Sequence, residues 1–129
     1  MINYVDEAQR VMEYLSQDSR NMVTTSQIRK FLTAVNTVSG KVDQYRNNGN
    51  VVKLNEDLQM QVKFLKVKLA YQIGRAETKR GNPVKNFAQQ AHLMQKIDSI
   101  GDSVEKYEQF ARYVEALVAF HKFYGGRDK

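Results

Sequence analysis

At 129 residues the chain has the length of one domain, whose folding takes roughly two-thirds of the unfolded surface out of water. Hydrophobic residues at 42% and charged residues at 26% give a globular balance and argue against a disordered tail. The absence of cysteine excludes disulfides, thiolate metal sites, iron–sulfur clusters and thiol nucleophiles, while a net charge of +6 favours a polyanionic partner such as nucleic acid.

A single proline, few alternating β-branched runs and abundant Leu, Ala, Gln, Glu, Lys and Arg predict an all-α fold. Glycine and asparagine clusters at Asn47-Asn48-Gly49-Asn50, Gly81-Asn82-Pro83, Gly101-Asp102 and Gly125-Gly126 divide it into a compact bundle of about five helices, forming one domain over residues 1–129. The opening Met1-Ile2-Asn3-Tyr4-Val5-Asp6-Glu7 lacks the basic start and apolar stretch of a signal peptide. The longest apolar run, residues 116–120, is far shorter than the ~20 residues of a membrane span. The expectation is a soluble cytoplasmic protein with no membrane partner.

The first predicted helix, residues 4–17, places Val5, Ala8, Met12 and Leu15 on one face, and residues 18–23 read as a polar connection. Thr24 with Gln27 three positions on is a capping box for a second helix carrying Ile28, Leu32, Val35 and Val38, which Gly40 ends or bends. A long helix over residues 52–79 aligns Leu58, Val62, Leu65, Leu69, Ile73 and Ala76 as a core seam. Asn82-Pro83 supplies the cap and first-turn proline of a fourth helix with Phe87, Ala91, Met94 and Ile97 inward. Asp102 with Glu105 opens the last helix. Its apolar arc, running from Val104 and Tyr107 through Phe110, Val114 and Leu117 to Tyr124, covers about half the circumference. Such a helix is either central to the monomer or shared with a partner subunit.

The charge is segregated: residues 1–19 carry −3, residues 20–85 carry +9 and residues 86–129 are neutral. At about 100° per residue, Phe64, Lys68, Tyr71, Arg75 and Lys79 form a stripe of alternating cations and aromatics beside the seam. Cations at that spacing displace counterions along phosphates and rings stack on bases or sugars, so the stripe suits single-stranded nucleic acid or an exposed duplex backbone. It also suits a solvated cationic face with Phe64 and Tyr71 in the core. Arg29, Lys30, Lys41, Lys63, Lys66, Arg80 and Lys85 extend the cationic footprint.

No catalytic constellation is found. His92 and His121 stand 29 residues apart, and neither has a second imidazole or a carboxylate three or four positions away to complete a metal pair. No glycine-rich phosphate loop or serine elbow is present. The expectations are no enzyme, no metal and no cofactor, with His121 packed in the core.

Three segments carry a family pattern: Thr24-Thr25-Ser26-Gln27-Ile28-Arg29-Lys30-Phe31, then Lys68-Leu69-Ala70-Tyr71-Gln72-Ile73-Gly74-Arg75, then the run from Phe110 through Glu115 and His121-Lys122 to Gly125-Gly126. In this order, spread over most of the chain, they resemble the small subunit of the type III-A CRISPR–Cas effector, the Csm complex. The resemblance implies a non-catalytic helical protein present in several copies, lining a basic channel that holds the crRNA–target RNA duplex. It implies other Csm effector subunits as partners, and self-association in a helical stack or dimer. The matching blocks place Arg29, Lys30, Lys68 and Arg75 as leading RNA-backbone contacts, with Lys63, Lys66, Lys79 and Arg80 added on charge alone. Five such contacts would give a single-strand salt slope near ~−3.5. The rival reading is a helical protein-interaction adaptor without a nucleic-acid role, supported by the broad apolar arc of the last helix.

Overall fold

The computed structural model describes residues 3–47, 49, 51–79 and 81–126, apart from the side chain of Ser19. Six α-helices are present among the described residues: α1 (Tyr4–Leu15), α2 (Thr25–Arg46), α3 (Glu56–Arg75), α4 (Pro83–Gln90), α5 (Leu93–Ile100) and α6 (Val104–Phe123). A 3-10 segment, Ser16–Asn21, joins α1 to α2. The all-α expectation holds, with one helix more than the sequence signals suggest.

Local chemistry sets most helix starts. Thr24 Oγ1 accepts from the Gln27 N–H at 3.1 Å while Gln27 Oε1 accepts from the Thr24 N–H at 2.9 Å, the reciprocal capping box. Asn82 Oδ1 accepts from the Lys85 N–H at 3.0 Å ahead of Pro83 in the first turn of α4. Ser103, rather than Asp102, caps α6 by accepting from the Lys106 N–H at 3.1 Å.

Three expectations change. Gly40 neither ends nor bends α2, which continues to Arg46, because its exposed position carries no packing demand and the helical bonds on either side persist. The long helix begins at Glu56, not residue 52. Asn55 caps it by accepting from the Leu58 N–H at 2.8 Å. Residues 51–54 are instead held outside the helix: the Leu54 N–H donates to the Asp102 carbonyl at 2.7 Å, and the Val104 N–H to the Val52 carbonyl at 3.2 Å. The helix also ends at Arg75, so Lys79 lies in the following turn. The predicted fourth helix is two, broken at His92, whose backbone is left-handed at φ 55°.

The α6 helix packs against α1, α2 and α5, and most of its broad arc is buried, with Phe120 and Tyr124 near its end half-buried. Tyr107, Tyr113, Val114 and Leu117 are fully buried, and Phe110 meets Phe31 of α2 edge-on at 6.4 Å. Of the two roles open to it, the central one is observed. At its end His121 is buried, and its Nε2–H donates to the Val23 carbonyl at 2.6 Å. Gly126 lies directly against that ring, where a Cβ would come within 2.0 Å of it.

Candidate nucleic-acid interface

The α3 helix buries Leu58, Val62, Leu65 and Leu69 against α2, α4 and α5. Burying that seam turns the opposite face outward, and it is not a purely polar face. Met60, Phe64, Val67 and Tyr71 are between 51% and 67% exposed, spaced four, three and four apart. Phe64 and Tyr71 therefore belong to the surface and not to the core. Met60 and Val67, on the same exposed face, are what the alternating-stripe reading misses.

Between this face and α2 runs an open groove of about 500 Å³. Lys30 and Ala34 line it from α2, and Phe64, Val67, Lys68, Tyr71 and Arg75 from α3, with Ala76 and Val84 at its base. Gln72 Nε2 bridges the two helices by donating to the Gln27 carbonyl at 3.0 Å, which fixes their separation here. The Arg75 guanidinium lies 5.7 Å from the centre of the Tyr71 ring, a cation–π contact that holds both side chains over the groove.

Electrostatically the groove is one-signed, since no carboxylate lines it. Among the described residues, no acidic group lies within ion-pair distance of Lys30, Lys68 or Arg75. Three cations elsewhere are engaged: Lys66 pairs with Asp98 of α5 at 2.7 Å, Lys96 with Glu7 at 3.0 Å, and Arg46 with Glu108. Three cations without an ion pair, Lys30 from α2 and Lys68 and Arg75 from α3, make an anion-binding surface, because no salt bridge must be broken for a phosphate to approach.

The eight cations expected to meet RNA thus divide. Lys30, Lys68 and Arg75 converge on the groove. Arg29 is exposed on α2 but is not among the residues that line it. Lys63 is exposed on α3 outside the groove, and Lys79 is exposed in the turn after α3. Lys66 is held by Asp98 on the side facing α5. Arg80 lies outside the described residues. Of the wider footprint, Lys41 donates to Gln61 Oε1 at 2.8 Å.

No group of three or more His, Cys, Asp or Glu side chains among the described residues could hold a metal ion. Among the described residues, no helix is long and apolar enough to cross a membrane.

Comparison with known proteins gives a consistent result. The family described as Csm2 Type III-A matches residues 2–127. A protein named "CRISPR system Cms protein Csm2" from Streptococcus thermophilus is 34% identical, across 98% of this chain and 94% of the relative. One of the same name from Mycobacterium tuberculosis (strain ATCC 25618 / H37Rv) is 30% identical, across 98% and 95%. Another from Enterococcus italicus is 33% identical, across 81% and 69%.

Proposed function

The chain belongs to the type III-A Csm2 family, and from that premise we propose that it is a non-catalytic RNA-holding subunit of a CRISPR effector. In this reading it acts as a single helical domain within the cytoplasmic complex. Its α2–α3 groove follows the sugar–phosphate backbone of the paired crRNA and target RNA. Backbone contact without base-edge readout is sufficient, because guide pairing supplies sequence specificity and the protein need only recognise charge and shape. The observation that carries the proposal is the convergence of Lys30, Lys68 and Arg75 on one groove without an acidic partner. Arg29 and Lys63, exposed on the same two helices outside the groove, extend contact along the strand in this reading.

Multiple copies along the duplex, and contacts with other subunits, complete the proposal. A head-to-tail array needs two different, complementary patches. The −3 segment at residues 1–19 and the +9 segment at residues 20–85 supply opposite charge. Most of the apolar arc of α6 is covered by α1, α2 and α5 within the chain, which leaves Phe120, Phe123 and Tyr124 near its end at least partly exposed.

A salt titration of RNA binding tests the groove. Each phosphate contact contributes about −0.7 to the slope of log affinity on log salt for a single strand, so the triple variant K30A/K68A/R75A should reduce the slope's magnitude by about 2. All three side chains are on the surface, and the fold should survive. An unchanged slope in the folded triple variant would remove the groove from RNA binding. The adaptor reading keeps one specific support, the exposed apolar row Met60, Phe64, Val67 and Tyr71. It predicts unaltered RNA affinity and lost subunit capture in the same variant.

A further inference from the structure

A groove that served phosphates alone would need cations and amides, yet this one is largely apolar. Its base is Ala34, Ala76 and Val84, all buried, and its outer wall presents Phe64 and Tyr71, 51% and 67% exposed, without a covering element among the described residues. The two rings alternate with Lys68 and Arg75 along α3, one helical turn apart. Resting on the backbone-binding proposal, we infer that the groove is a nucleobase subsite: one unstacked base of the bound RNA enters it and lies on Tyr71 while its flanking phosphates meet Lys30 and Lys68.

Four features favour this occupant. The volume of about 500 Å³ falls within the range of small-ligand pockets. Arg75 already lies against the Tyr71 ring, so a base on the ring's other face would complete a guanidinium–phenol–base stack. The cations flank the apolar floor, matching a ligand that is flat and apolar at its centre and anionic on both sides. The lining contains no carboxylate to repel those phosphates. Stacking is sequence-tolerant, since every base has a π-face, and purines should bind more tightly than pyrimidines through their larger area. The subsite therefore adds affinity and holds an extruded nucleotide without reading its identity.

The experiment compares the full chain with two single-stranded RNA 12-mers of equal charge, one intact and one abasic throughout, and with the variants Y71A and Y71F. Stacking on one ring corresponds to a loss of roughly tenfold in affinity. The expected result is a loss of about that size for Y71A on intact RNA, retention by Y71F, and no effect of Y71A on the abasic strand. The salt slope should stay the same in Y71A, because no phosphate contact is removed. Equal binding of intact and abasic strands, with the slope still falling in K30A/K68A/R75A, overturns the base subsite and leaves backbone binding standing. Y71A that binds RNA normally but no longer joins the effector overturns it in favour of a protein seat. An unchanged slope in the triple variant overturns both proposals.

Discussion

Tyr107 and Tyr113 show at the scale of single residues how a core of this size accommodates polar groups. Each phenol is buried, and each donates to a carbonyl on another helix or turn: Tyr107 to Val35 at 2.8 Å, Tyr113 to Ala91 at 3.0 Å. A donor satisfied in this way stabilises the fold, whereas an ionised phenolate there would have neither water nor a proton to donate. Burial accordingly pushes Tyr107 from 10 up to about 12; the Ser39 hydroxyl, 2.9 Å away, pulls it down and Asp43 pushes it further up. Burial and then Glu7 push Tyr113 up as well. A raised folded-state value means that stability is fully present below pH ~10, the unfolded value, and is lost as pH climbs through the folded one. Denaturant unfolding should therefore show stability constant from neutrality to pH ~10 and falling between pH ~10 and ~12. Tyr107→Phe should cost about 1 kcal/mol at pH 7 and make the alkaline decline shallower. A Y107F decline as steep as that of the parent chain would assign it to other groups.

At the scale of elements, the sequence discloses what is local and conceals what is not. The start of α2 is legible because both halves of the Thr24–Gln27 box lie within four residues, and α4 because Asn82-Pro83 is self-contained. The break between α4 and α5 has no such signal. Neither glycine nor proline stands near it, and His92 adopts a left-handed backbone between Ala91 and Leu93, both wholly buried. Packing on both flanks outweighs the roughly 1–2 kcal/mol cost of that conformation. The false start at residue 52 has a similar origin, since bonds to Asp102 and Val104 lie about fifty positions away in the chain. Gly40 misleads in the opposite direction. It sits in an exposed helix interior and Gly74 in the exposed last turn of α3, each with no heavy atom within 4 Å of a would-be Cβ. Gly40→Ala and Gly74→Ala should each stabilise the protein by about 0.5–1 kcal/mol, seen as a higher denaturation midpoint with an unchanged denaturant dependence. A loss of stability at either position would contradict the reading of these glycines as free of packing demands.

For the molecule as a whole, the decisive fact is that α2 and α3 each give one face to the core and turn another, bearing Lys30, Lys68 and Arg75, toward the groove between them. The α6 helix fills the interior, so α3 is free to expose one face, and that face carries the rings and charges of the middle segment. The sequence locates this site because its stripe follows a helical period, and three of the four leading contacts, Lys30, Lys68 and Arg75, meet there. It could not show that Arg29 is absent from the groove lining, since tertiary packing decides which arc of α2 faces α3, or that Asp98 of α5 holds Lys66. Nor could spacing alone tell an exposed Phe64 and Tyr71 from buried ones, because a core stripe and a surface stripe have the same period. The central claim, that RNA lies in the α2–α3 groove, is tested most directly by photocrosslinking the full chain to single-stranded RNA carrying 4-thiouridine and sequencing the attached peptides. The account predicts attachment within residues 27–34 and 60–76, greatly reduced in K30A/K68A/R75A. Attachment confined to α1 or α6, or undiminished in that variant, would contradict it.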